Sequence, residues 1–555
     1  MTHDEEPRLL VLRSMAAIHR YLDGYPRALP QAPDAAWMSL PEWLAEGDDC
    51  DEDHFHRALS LGYPALRVPE DEDRGATGTI SPELARRLRA VPTQRCKGLV
   101  AVALEDCGNH EAMQQLNFLL RDRVLPVIAT APVMRALIAR YYDRDEDLTI
   151  VHQLGLDPAR ETSEKEVERL AREMPIVRIV GGLIRDAIRR RASDIHIRPG
   201  AQGADVLYRI DDELVPVRRF LRSLLPVLVS RIKVLAEMNI AERRRPQDGR
   251  TSVTLEEGRK IDMRVSIVPT VFGESVAIRL HDTGGSLLNL EQLGLDPADR
   301  LRLDDVLAHS HGMFLATGPT GCGKSTTLYA ALLELRKQRI NILTIEDPVE
   351  FHLEDVQQMQ VNRVAGFTFA SAMRNFLRHD PDVIMVGEMR DRETAGIAVE
   401  SALTGHLVLS TLHTNTAAAT VTRLLDLGVE SYLLRASLLA VMSQRLVRKT
   451  CPHCREVETI EPRVRSILGV GPDEVFHVGR GCPHCDGLGV RGRIAAYELM
   501  IVTPAIQELI VPGVDMRAIH ETAVREGMTP ITKAAVKLAR SGMISLAEAW
   551  RVRAD

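Results

Sequence analysis

Gly318-Pro319-Thr320-Gly321-Cys322-Gly323-Lys324-Ser325-Thr326-Thr327 follows an apolar run, Met313-Phe314-Leu315-Ala316, and precedes a helix-like one, Leu328 to Leu335. Strand, glycine-rich loop and helix in that order make a phosphate-binding P-loop. The glycines let backbone N–H groups close around phosphate oxygens, and the helix N-terminus adds positive potential. Within the loop Lys324 is placed to reach the β- and γ-phosphates and the Ser325 hydroxyl to ligate Mg²⁺. Gly318, Pro319, Thr320, Gly321, Cys322, Gly323, Lys324, Ser325 and Thr326 are therefore the candidate nucleotide-binding set.

Around the loop, apolar runs end in polar residues and alternate with helical patterns: Gly312 to Thr317, Asn341 to Glu346, Val383 to Glu388 and His406 to Thr411. A parallel sheet wrapped by helices, with functional residues at the strand C-termini, has this signature. Ile342 to Asp347 ends in adjacent carboxylates, and Glu388 follows a four-residue apolar strand and a glycine. Carboxylates so placed hold a hydrated Mg²⁺ or deprotonate an attacking water. His406 and His413 flank the last of these strands, and His413 is placed to sense a γ-phosphate.

A second constellation lies further on. Cys451-Pro452-His453-Cys454 and Cys482-Pro483-His484-Cys485 each present two thiolates from a tight knuckle. Four thiolates suit tetrahedral Zn²⁺ in a closed shell, hence a structural metal whose binding energy holds a loop-rich segment together. His453 and His484 are read as surface residues of the knuckles. The other four cysteines, Cys50, Cys96, Cys107 and Cys322, are scattered, which is no secreted disulfide framework.

With 555 residues, 26% charged and 45% hydrophobic, the chain is too long for one core. Its net charge of −7 argues against a general nucleic-acid binder. Arg189-Arg190-Arg191 and Arg243-Arg244-Arg245 are read as solvated faces or internal ion pairs. No apolar run is long enough for a membrane span and the N-terminus lacks a secretory pattern, so a cytoplasmic location without direct membrane insertion is expected.

The fold class expected is α/β. A small N-terminal α/β module (1–165) serves partner docking, an α+β domain (166–285) follows, and a RecA-like P-loop core occupies 286–445. A tetracysteine zinc subdomain (446–495) and a helical C-terminal subdomain (496–555) complete the chain. In the first module Gly98 to Leu104 and Val124 to Ala129 read as strands and Glu111 to Leu120 as a helix, with Asp143 to Asp147 or Glu161 to Glu173 as a linker. In the second, Ile176 to Arg191 and Leu221 to Glu242 read as helices, Val206 to Ile210, Ile261 to Val268 and Ser275 to Leu280 as strands, with turns at Asp248-Gly249 and Gly273.

From about residue 170 onward the chain resembles the motor ATPases of type II secretion and type IV pilus assembly, in their zinc-containing export or extension branch. The resemblance rests on Arg191 to Ile197, Pro246 to Arg250, Ile261 to Ser266, the P-loop and Thr344 to Glu350. Arg378 to Asp391, Thr404 to Asn415, and Gly492-Arg493 with Tyr497 to Leu499 complete it. It implies ATP hydrolysis with Mg²⁺ and a homo-hexameric ring. Its partners would be an inner-membrane platform and cytoplasmic docking proteins, with peripheral attachment through them and no direct nucleic acid. It makes Glu346 the water-activating base, puts Glu388 beside Mg²⁺ and His413 in a histidine box, and matches Arg264 and Arg279 to arginines directed at the γ-phosphate. Cys322 replaces the usual serine, which suggests sensitivity to oxidation. Asp212 replaces a turn glycine, and Arg198 an acid. The paired Arg-Leu-Gly motifs that some relatives use for a cyclic dinucleotide are absent. The alternatives are a nucleic-acid translocation motor and a nucleotide-binding scaffold without hydrolysis.

Overall fold

The computed structural model describes residues 7–24, 35–45, 52–69, 76–156, 163–201, 203–254, 260–282, 287–485 and 487–553. Cys50 and part of the 161–173 stretch lie outside them. The chain divides into two compact units, Met1–His281 and Asp282–Asp555.

The first unit holds two sheets. β1 Leu9–Leu12, β2 Ala35–Met38, β3 Ala65–Leu66, β4 Ala90–Cys96, β5 Leu99–Leu104 and β6 Arg123–Ala129 lie in the order β2-β1-β3-β6-β5-β4. β5 and β6 pair in parallel and are apolar on both faces, as strands covered on both sides must be. The helix His110–Leu120 joins them. The second sheet has β7 Asp194–Pro199, β8 Ala204–Ile210, β9 Glu213–Phe220, β10 Gln247–Thr254, β11 Lys260–Thr270 and β12 Gly273–Asp282, ordered β10-β11-β12-β7-β8-β9. Alternation is clearest on β7, β11 and β12, where Ile195, Ile197, Ile261, Met263, Val265, Val276 and Ile278 are buried.

Three readings of the sequence need correction here. Asp248-Gly249 is not a turn but lies inside β10, opposite Ser266 and Val265. A Cβ on Gly249 would come within 2.5 Å of the Ala236 carbonyl, so this glycine serves close backbone approach. Second, the helix read over Leu221 to Glu242 occupies only Leu225–Leu235, and the chain turns away at Glu237 with φ of 55°. Third, Asp143 to Asp147 is no linker. Asp143 and Asp147 are buried, Asp147 pairs with Arg218 at 2.7 Å and accepts from the Leu221 N–H at 2.8 Å, and Arg86 pairs with Asp143 and Glu146. The arginine run at 189–191 is absorbed internally, Arg189 and Arg190 by Asp186 and Arg191 by Asp211.

The second unit is built on one seven-stranded sheet: β13 Gly312–Thr317, β14 Ile342–Glu346, β15 Gln357–Gln360, β16 Val383–Val386, β17 Leu407–Leu412, β18 Leu438–Thr450 and, after an insertion, β21 Val490–Ile501. The order is β15-β14-β16-β17-β13-β18-β21, all neighbours parallel except β21 against β18. Helices Lys324–Leu335, Phe369–Phe376, Arg392–Leu403 and Ala417–Asp426 cover both faces, the RecA-like arrangement. β18 and β21 run across positions 445 and 495, so the cysteine-rich segment is an insertion between the last two strands of this sheet rather than a segment following it. Within the insertion a two-stranded ribbon, β19 Arg455–Val457 with β20 His477–Gly479, frames the knuckles. Four helices, Pro504–Leu509, Met516–Arg525, Ile531–Arg540 and Leu546–Arg551, close the chain. No helix among the described residues is long and apolar enough to cross a membrane.

Candidate functional site

β13, β17, β16 and β14 are adjacent and parallel, so their C-terminal ends open on one edge of the sheet. The P-loop leaves β13 there. Gly318 takes φ of 141°, and a Cβ on it would stand 2.5 Å from both the Cys322 sulfur and the Gln444 carbonyl, so only glycine fits. Pro319, Thr320 and Gly321 form an exposed crest, while Ser325 and Thr326 sit half-buried in the first helical turn. Gly323, at φ of 92°, caps the helix that Lys324 opens. The Lys324 ammonium, 9% exposed, donates to the Gly318 and Pro319 carbonyls, both at 2.9 Å. Burial lowers its pKa, opposed by the charge of Glu388. Cys322 is 3% exposed, and burial pushes its thiol up. That corrects the expected oxidation sensitivity, because a buried protonated thiol is a poor nucleophile.

At the end of β14 the Glu346 carboxylate, 4% exposed, accepts from the Tyr329 hydroxyl at 2.5 Å, the Thr344 hydroxyl at 2.7 Å and the Gln358 amide at 3.2 Å. Burial raises its pKa, and the three donors oppose that. Three of the roughly four lone-pair sites of a carboxylate are thus engaged. Glu388 follows β16 through Gly387, which packs against the Glu346 backbone: a Cβ there would lie 3.4 Å from the Glu346 Cα. Glu388 pairs with Arg390 at 2.6 Å and with Nε2 of His413 at 3.5 Å, His413 standing just past β17. Lys324, Glu346, Glu388 and His413 therefore share one edge of one sheet.

Sequence reasoning missed the residues that hold this edge. Gln444 on β18 is 2% exposed, donates to the Cys322 carbonyl at 2.8 Å and accepts from the Thr327 hydroxyl at 2.9 Å. Arg445 donates to the Asn415 carbonyl at 3.3 Å and to its side-chain oxygen at 3.0 Å, tying the loop after β17 to β18. Glu498 on β21 accepts from the N–H of Ala417 at 2.7 Å and of Ile531 at 3.2 Å. The signals available were the polar triplet Ser443-Gln444-Arg445 within β18 and the stretches Thr404 to Asn415 and Tyr497 to Leu499, which contain Asn415 and Glu498.

Arg264 and Arg279 stand in the first unit, on the open face of the second sheet. Both guanidinium charges act on the His281 imidazole, two residues beyond Arg279, whose pKa burial lowers first and the arginines lower further. Arg279 is paired with Asp194.

The four cysteine sulfurs all lie within 4.8 Å of one another. Cys451 and Cys482 are 3.8 Å apart, Cys454 and Cys485 3.8 Å, Cys482 and Cys485 3.7 Å. Zn–S bonds of about 2.3 Å in a tetrahedron require sulfur separations of about 3.8 Å. Backbone N–H groups of Cys482 and Gly489 point at the Cys485 sulfur at 3.1 and 3.2 Å, as they would at a thiolate. The donor set fits zinc. His453 and His484 stack on each other, ring centroids 4.0 Å apart, and are not members of the cluster.

A strand, P-loop and helix with carboxylates on the neighbouring strand ends place the chain in the RecA-like P-loop class. Residues 169–551 match the family described as Type II/IV secretion system protein, and residues 61–148 match the MshEN domain. The chain belongs to the type II/IV secretion system protein family. It is similar to the Type IV pilus assembly ATPase PilB of Myxococcus xanthus, 38% identical over 499 residues with 88% of each chain covered. It is also similar to Type II secretion system protein E of Pseudomonas aeruginosa, 46% identical over 385 residues, 68% of this chain and 76% of that one. The Legionella pneumophila ATPase DotB shares the fold, with TM-score 0.51 at 22% identity over 67% of this chain and 95% of that one.

Proposed function

We propose that this chain is a motor ATPase that hydrolyses ATP to drive assembly of pilin-like subunits, for protein secretion or pilus extension. The reading is carried by one observation: Lys324, Glu346, Glu388 and His413 meet at the ends of four adjacent parallel strands around a glycine-shaped P-loop. Lys324, drawn off the Gly318 and Pro319 carbonyls, binds the β- and γ-phosphates. Ser325 and Glu388 would hold Mg²⁺, which would supply neutralisation of the phosphate charge. Glu346, raised in pKa by burial, takes a proton from the attacking water. His413, linked to Glu388, reports the γ-phosphate to the loop after β17. Arg264 and Arg279 are the arginines that neutralise charge at the γ-phosphate, and the assembly is a homo-hexameric ring. Zn²⁺ on Cys451, Cys454, Cys482 and Cys485 is structural. Residues 1–165 dock the chain on cytoplasmic partners and an inner-membrane platform, so attachment is peripheral.

Mg²⁺-dependent ATP hydrolysis by the purified chain, measured against protein concentration with Glu388→Gln as control, tests this. Turnover per subunit that rises with concentration and vanishes in the variant is expected. Nucleotide binding without turnover, even with membrane partners added, would leave a scaffold instead of a motor.

A further inference from the structure

We infer that Asp194 is a positioning residue that aims Arg279, and that Ser193 fixes Asp194 for this task; the inference rests on the proposed role of Arg279. Asp194 and Arg279 are direct cross-strand partners on β7 and β12. Their strands turn Ile195 and Ile278 into the core, so both polar side chains stand on the opposite face. On that face Asp194 is nevertheless only 8% exposed, whereas the Arg279 side chain is 57% exposed. One end of the pair is anchored and the other is presented.

The contact is also one-sided. A carboxylate and a guanidinium that serve only each other commonly meet as a fork, with two parallel N–H···O bonds. Here Asp194 Oδ1 accepts from Nε of Arg279 at 2.9 Å, while Oδ2 accepts from the Ser193 hydroxyl at 2.8 Å and lies 3.9 Å from Arg209. Gripping Nε fixes the guanidinium plane and leaves the terminal nitrogens, the pair suited to phosphate oxygens, directed away from the carboxylate. The Ser193 hydroxyl is itself 3.4 Å from the Arg209 carbonyl, which limits rotation of the carboxylate. Burial pushes the Asp194 pKa up, but the Ser193 hydroxyl and Arg279 outweigh it and hold the group below the usual carboxylate range. The anchor is therefore charged at every pH where the protein would work.

An arginine that must meet a transferring phosphoryl group loses rotamer freedom on doing so. Asp194 removes most of that loss beforehand, so its deletion falls on kcat and not on nucleotide binding. The test uses the full chain and MgATP, with Asp194→Asn, Asp194→Ala, Arg279→Ala and the Asp194→Ala/Arg279→Ala double variant. Displacing a reacting group by about 1 Å costs about 10²-fold. We expect Asp194→Ala to lose about that in kcat with KM within about threefold, and Asp194→Asn to lose less, because Asn keeps one oxygen for Nε. The double variant should be no slower than Arg279→Ala alone.

Full turnover by Arg279→Ala would overturn the role given to Arg279 and this inference with it. A slow Arg279→Ala beside an Asp194→Ala of normal kcat, or losses that multiply in the double variant, would overturn the positioning role alone. Should Asp194→Ala not fold, Asp194→Asn with unchanged melting and unchanged kcat would refute it equally.

Discussion

Replacing Gln444 by Leu keeps nearly the same volume in a site that is 2% exposed, so no cavity arises and only the two hydrogen bonds are lost. Thr327 retains a fallback, since its hydroxyl also lies 3.4 Å from the Gly323 carbonyl. The Cys322 carbonyl loses the Gln444 amide, its 2.8 Å partner, inside the turn that has to present backbone N–H groups to phosphate. One orphaned buried carbonyl costs about 1–3 kcal/mol. If the loop rotates that carbonyl toward water and has to return when nucleotide binds, the cost appears as about 5- to 150-fold weaker affinity at 1.4 kcal/mol per decade. If the loop cannot rotate, the same cost appears as a melting temperature lower by a few degrees. Titration with a fluorescent ATP analogue at fixed Mg²⁺, paired with thermal melting, captures both. Gln444→Glu adds a distinction: it keeps an acceptor for Thr327 but brings a carboxylate to the phosphate site, so its affinity loss should exceed that of Leu and shrink with salt. A Gln444→Leu protein with Kd within twofold of the parent and an unchanged melting temperature would refute the reasoning.

Tyr329→Phe removes a donor that lowers the Glu346 pKa, so the acid limb of kcat/KM should move to higher pH; a limb that stays put excludes Glu346 as the base. Because the folded-state pKa of Glu346 is raised, protonated Glu346 stabilises the fold below the usual carboxylate range, and that contribution is lost as pH rises through the folded pKa. Glu346→Gln should therefore lack turnover yet melt above the parent at pH of about 8, with the difference shrinking toward pH of about 4, as calorimetry at the two pH values would record. Metal analysis of protein prepared without chelator should find about one zinc per chain, and Cys451→Ser should lose it and open the 451–489 segment to protease. Arg218→Leu leaves Asp147, 1% exposed, without its charge partner, and should destabilise the first unit by about 3–5 kcal/mol in urea unfolding.

How far the sequence alone reached depends on the range of the forces involved. The P-loop, the strand-end acids and the cysteine knuckles were legible because each is a local rule: a φ that only glycine takes, a hydrophobic strand stopping at a polar residue, two thiols three positions apart. β9 and β10 were not legible, since Val215, Val217 and Val253 are only half-buried and leave weak alternation. Gly249 read as a turn because a glycine needed for close approach to residue 236 looks the same in sequence as one needed for a bend.

The sequence by itself determined which chemistry is present: a phosphate cradle, a pair of acids at strand ends and a four-thiolate metal shell. Only the tertiary structure decided how these are held. It set Gln444, 120 residues from Lys324, under the P-loop. It placed Asp194 opposite Arg279. It made the cysteine-rich segment an insertion in the ATPase sheet. Partners so distant in the chain meet through strand pairing and burial, and neither leaves a mark on the local pattern of residues that they join.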